Sequence, residues 1–124
     1  MSCIEQLVED VGLESAQRLI GMFRDDVADR IKFIEGFVDN NMGDLKELHR
    51  HAHTLKGMCM TYGALKGAEA ANELQEICEV NDEALILEKS LAALNIIPFD
   101  VKAVVSFMTI YAQNIDPKTN VHKE

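Results

Sequence analysis

Between Leu13 and Asp39 the apolar residues Ala16, Ile20, Phe23, Val27, Ile31, Ile34 and Val38 follow one another at steps of 4, 3, 4, 4, 3 and 4. That spacing keeps one face of an α-helix for about seven turns and fits no strand, whose side chains alternate with period two. A helix this long cannot bury its stripe alone. It needs other helices along its length, which commits the chain to an all-α bundle. Composition agrees: 48% of the 124 residues are hydrophobic and 6% aromatic, with two prolines. Such a chain can build one core but lacks the aromatics of a β-sandwich.

The partner helices can be read in turn. Residues 1–11 predict a short amphipathic helix with Ile4, Leu7, Val8 and Val11 on one face, interrupted by Gly12. Asp39-Asn40-Asn41-Met42-Gly43 is a turn signal, and Asp44 can cap a third helix. Its core side reads Leu45, Leu48, Ala52, Leu55, Cys59 and Tyr62, and Gly63 closes it. A fourth helix runs from Ala64 to about Val80, where Gly67, Ala70 and Ala71 permit close packing. Residues 83–94 and 99–115 carry helical patterns again. Pro98, with its restricted neighbour Ile97, predicts a break near 95–99. The expected architecture is an antiparallel four-helix bundle with a short N-terminal helix and a kinked or split C-terminal helix. It forms one domain over residues 1–115, followed by a polar, frayed tail at 116–124. Met22, Phe33 and Phe37 lie beside the long helix's stripe and are expected to pack as core or as cover for the short helix, with a partner-docking patch as the minor alternative.

Charge narrows the function classes. Twelve Lys and Arg stand against 21 Asp and Glu, a formal charge of −9. A surface so acidic is repelled by nucleic-acid phosphates and by anionic membranes. Cys3, Cys59 and Cys78 are odd in number and show no CxxC spacing, so free thiols in a reducing compartment are expected. The N-terminus has no basic and apolar signal pattern, and no stretch approaches the roughly 18 apolar residues of a membrane span. These features predict a cytoplasmic protein.

Three of four histidines, His49, His51 and His53, crowd the third helix; His122 lies in the tail. At 100° per residue, His49 and His53 share a face and His51 points away from it. Lys46, His49, Arg50, His53, Lys56, Gly57 and Met60 fall on one strip outside the core stripe. The strip holds three cations, while the helix's own acids, Asp44 and Glu47, are expected elsewhere. Cations around a histidine disfavour its protonated form. A neutral imidazole offers a lone pair as nucleophile, and the same cations would stabilise a dianionic phosphoryl group on it. Gly57, one turn beyond His53, costs about 0.5–1 kcal/mol relative to alanine in a helix interior, so its presence beside an exposed histidine calls for a reason.

Ala52-His53-Thr54-Leu55-Lys56-Gly57, with Gly63 ten residues after the histidine, resembles the H-x-x-K-G motif of histidine-containing phosphotransfer (HPt) domains. With helix order, size and acidic composition, the resemblance covers about residues 13–114. It implies a small four-helix-bundle intermediate of two-component phosphorelays. By it, His53 is the phosphorylated histidine, Lys56 the phosphate-stabilising lysine, and Gly57 the small residue that keeps the imidazole accessible. Lys46, His49, Arg50 and Met60 would then meet the partner, Lys46 and Arg50 chiefly by electrostatic steering. The partners implied are response-regulator receiver domains and a sensor histidine kinase, hybrid or otherwise. No cofactor is expected on this chain; Mg²⁺ would belong to the receiver. No Gly-rich phosphate loop is present, so the protein is expected to carry phosphohistidine without kinase or ATP-binding activity of its own. A monomer is expected.

The sequence departs from the family in places. Met58-Cys59-Met60 follows the motif where small residues are common, and Pro98 is unusual in the last helix. A second Leu65-Lys66-Gly67 has Gly63 where a histidine would be required. Two other readings stand beside phosphotransfer. One is a module that docks receivers without transfer. The other is a metal-binding bundle using His49 and His53 at i, i+4, although no HExxH follows and the predicted core is apolar.

Overall fold

Ser2 starts the first helix. Its hydroxyl accepts from the Glu5 N–H at 3.2 Å while the Glu5 carboxylate accepts from the Ser2 N–H at 3.1 Å, a reciprocal capping box. The helices are α1 (Cys3–Val11), α2 (Leu13–Asp39), α3 (Leu45–Thr61), α4 (Leu65–Cys78) and α5 (Glu83–Gln113). This computed structural model describes residues 2–40 and 43–115; the tail expected to fray, 116–124, lies outside them. Asp44 caps α3 as expected, its Oδ1 accepting from the N–H groups of Lys46 and Glu47 at 3.0 and 3.2 Å. Gly63 follows α3 with φ +82°, a left-handed conformation that ordinary residues resist.

Helices α2 to α5 close a ring, with α3 on α4, α4 on α5 and α5 on α2 the broader contacts and α2 on α3 a slimmer one. Inside it, Leu48, Ala52, Leu55 and Cys59 of α3 face Ala71 and Leu74 of α4 and Ala93 and Ile97 of α5, all fully buried. Helices α2 and α5 extend beyond the ring. Their overhang forms a second cluster with α1, where Ile4 and Val8 pack on Ala16, Ile20, Met108 and Ile115. The all-α four-helix bundle with a short N-terminal helix is therefore observed. Details of the stripes differ. Phe37 is buried in place of Val38, Ile31 is only partly buried, and Val11 is exposed because the short α1 buries only Ile4 and Val8.

The expected break near residues 95–99 does not occur: α5 is one helix from Glu83 to Gln113 with Pro98 inside it. An interior proline costs about 3 kcal/mol through one lost backbone bond and a ring clash. Ser90, Ala93, Ile97 and Val101 are buried on the inner face and hold the helix on course through that point. Pro98 faces outward, lining a groove between α2 and α5. Helix α5 is also long enough, and over an 18-residue stretch of mean hydropathy 1.6 apolar enough, to cross a membrane by length and composition. The expectation that no stretch approaches a span is corrected to that extent: Asp100 and Lys102 interrupt the apolar residues but leave the stretch apolar on average. In the bundle α5 packs on α4 and α2.

Three helices converge at Gly67. Helix α4 has no side-chain cap of its own, since Ala64 stands at its N-cap. Asp100 of α5 takes that part, its Oδ2 accepting from the Gly67 N–H at 2.8 Å. A Cβ on Gly67 would lie 3.2 Å from Cys59 Sγ and 3.7 Å from Ile97 Cα. Burial, then the Asp100 charge, pushes the Cys59 thiol up to about 12, so the sulfur is a packing atom rather than a reactive one.

Candidate functional site

The buried face of α3 fixes what its other face can do. With Leu48, Ala52, Leu55 and Cys59 turned inward, Lys46, Arg50, His53, Gly57 and Met60 are exposed along the outer face and Lys56 is half-buried beside them. Among the described residues nothing hydrogen-bonds the His53 imidazole, and no carboxylate pairs with Lys46 or Lys56. The ring is thus open to a reactant, with two uncommitted ammonium groups on the same helix. Met60, 56% exposed, stands nearly two turns further along.

Two expected members of the strip are placed differently. Arg50 is not an uncommitted cation: its guanidinium pairs with the Glu47 carboxylate three residues earlier. The expectation that Glu47 sits apart from the strip is therefore corrected, because i, i+3 side chains are neighbours on a helix. His49 leans toward α4. It is half-buried, its Nε2 lies 3.4 Å from Glu79 Oε1, and with Leu45, Lys46 and Cys78 it lines a hollow of about 270 Å³. It borders the site rather than sharing the open face. Among the described residues no three His, Cys, Asp or Glu side chains are grouped to hold a metal ion.

Gly57 has no internal reason to be glycine. A Cβ built there meets nothing within 4 Å, in contrast to Gly67. Only something arriving from outside, a phosphoryl group or a partner surface, would meet that Cβ. Gly57→Ala should therefore raise stability by about 0.5–1 kcal/mol while slowing any reaction at His53; urea unfolding and a transfer assay on the same preparation check both signs.

His51, set aside in the sequence, ties α3 to α2. Its ring stacks on Phe33 with centroids 4.3 Å apart, and Arg30 Nη1 donates to His51 Nδ1 at 3.1 Å. Arg30 also pairs with Asp26 at 3.2 Å. Burial, then the charges of Arg30 and Arg50, lower the pKa of His51 from its ordinary value. A lowered folded-state value means the unfolded chain binds the proton more readily. This contribution to stability is complete above about pH 6.5 and is lost as pH falls below it. Unfolding free energy should drop as pH falls below about 6.5, and less so in His51→Phe; chemical denaturation on either side of that pH tests it. Phe33 and Arg30 at i, i+3 were the visible signal for this contact, but only the tertiary fold brings His51 to them.

A family model described as Hpt domain matches residues 18–104, which includes the whole of α3 and α4. No curated protein and no solved structure gives a significant match.

Proposed function

The chain belongs to the Hpt domain family, and from that premise we propose that His53 is its phosphoryl acceptor and donor. Family membership supports a phosphotransfer-relay role in two-component signalling and interaction with response regulators and kinases. The finer reading assigns the chemistry. A lone pair on the His53 ring attacks phosphorus of an aspartyl phosphate on a receiver domain. The N–P bond forms, the acyl P–O bond breaks, the aspartate carboxylate leaves, and the other ring nitrogen keeps its proton. The reverse step returns the group to a receiver aspartate. A kinase phosphohistidine is an alternative donor by the same displacement at phosphorus.

The protein's contribution is positioning and charge. Lys56 lies about one turn from His53 on the same helix to neutralise the phosphoryl dianion, Lys46 steers the partner, Arg50 remains paired to Glu47, and Gly57 leaves the approach clear. Mg²⁺ belongs to the receiver's acidic site in this reading, and the carrier is a cytoplasmic monomer with no nucleotide site. The observation that carries the assignment is an exposed imidazole inside the family motif, without a hydrogen-bond partner among the described residues and beside a glycine with open space around it. Incubation with a ³²P-labelled phosphorylated receiver should yield labelled protein whose label is acid-labile and base-stable, as a phosphoramidate requires. Acid-stable label, or none, overturns the assignment.

A further inference from the structure

A face of the bundle remote from α3 carries an unfilled groove. Between α2 and α5 a hollow of about 400 Å³ runs along Gln17–Arg24 and Val105–Gln113. A second, of about 390 Å³, runs along Arg24–Glu35 and Pro98–Val105. They share Arg24 and Val105, so they adjoin end to end along one α2–α5 groove. At 1.5 Å per residue its α2 wall is about 27 Å long, room for about five turns of helix. The floor of the second hollow is apolar, made by Val27, Ile31, Pro98 and Val101. The same face of α5 continues into Leu91 and Leu87, both exposed.

The rim carries the opposite charge to the molecule as a whole. Arg24, Lys32 and Lys102 stand against Glu35, in a chain of net charge −9. Arg24 pairs with Asp25 at 3.0 Å. Among the described residues, Lys32 and Lys102 have no carboxylate within ion-pair distance. The α2–α5 pair already holds one helix of complementary character. Helix α1 carries Glu5, Glu9 and Asp10, has no Lys or Arg, and buries Ile4 and Val8 on the overhang of both helices.

We propose that the groove seats an amphipathic helix of a partner protein, apolar on one side and acidic along its flanks. Apolar residues spaced i, i+3 or i+4, and i+7 would lie over Val27, Ile31, Pro98 and Val101. Acidic flanks would meet Lys32 and Lys102, which steer association and fix orientation. None of the lining residues belongs to α3, so the occupant leaves His53 open.

The test uses the full chain and two fluorescent 18-residue peptides with leucine at helical a/d spacing. Their polar positions are glutamate in one and lysine in the other. The glutamate peptide should bind saturably by fluorescence anisotropy, and the lysine peptide at least tenfold more weakly. Lys32→Glu combined with Lys102→Glu should weaken the glutamate peptide at least tenfold. Ala28→Trp, which places an indole in the groove from an exposed position, should abolish binding while circular dichroism and thermal midpoint stay as in the parent. Equal binding of the two peptides, no binding, or parental affinity in the Ala28→Trp protein would each overturn the proposal. So would a dimer in sedimentation velocity that Ala28→Trp dissolves, which would make the occupant a second copy of this chain.

Discussion

His53→Gln should leave the protein folded and unlabelled. The side chain is exposed and makes no hydrogen bond among the described residues, and surface substitutions away from such features change stability by no more than about 0.5 kcal/mol. Glutamine keeps a polar side chain of similar reach but has no ring nitrogen to attack phosphorus. Labelling by a phosphorylated receiver should fall to background, while far-ultraviolet circular dichroism and the thermal midpoint stay unchanged. Persistent label in this variant would assign the chemistry elsewhere, with His49 next along the helix. Loss of label with retained receiver binding separates the transfer reading from a docking module, since a pure docking surface would never have been labelled. The two measurements together decide between the functions that the fold alone leaves open.

The largest stability effect should come from Gly67. Its prospective Cβ meets Cys59 Sγ at 3.2 Å and Ile97 Cα at 3.7 Å, so α3 and α5 bound it on two sides. Overpacking of this kind costs about 1–3 kcal/mol, and Gly67→Val should reach the upper end because a branched side chain cannot turn away from both neighbours. Asp100→Ala acts on the same junction by another route. It removes the acceptor of the Gly67 N–H, and loss of a capping acceptor costs about 0.5–2 kcal/mol. Urea denaturation should show both losses. The double variant should lose less than their sum, because the two residues touch and the first change already opens the junction. If Gly67→Val unfolded at the parental midpoint, the close α3–α4–α5 packing described above would be wrong.

The parts of this molecule that follow from one helix's own spacing were readable in advance. The long stripe from Ala16 to Ile34, the Asp44 cap and the exposed face bearing His53 depend on 3.6-residue periodicity and on one residue's reach to its neighbours. The Glu47–Arg50 pair belongs to that class too; counting only charges on the strip, and not their i, i+3 partners, hid it. What could not be read depends on which helix stands beside which. Asp100 caps a helix 33 residues earlier in the chain, and His51 finds Arg30 21 residues away. Pro98 is the reverse case. The local rule is sound, but burial of Ile97 and Val101 on either side outweighs it. Leu65-Lys66-Gly67 looked like an idle echo of the motif, yet its glycine sits where α3, α4 and α5 meet.

Gly57 and Gly67 lie ten residues apart, and a stability measurement gives them opposite signs. Selection for a tougher protein, by heat or protease, would preserve Gly67 and discard Gly57, because alanine at the latter lowers the free energy of the helix and disturbs nothing around it. Such a screen would rank a weakened carrier above the parent. Robustness and throughput therefore pull in opposite directions at a single surface position, and an engineered version of this bundle should hold Gly57 fixed while improving caps and core elsewhere.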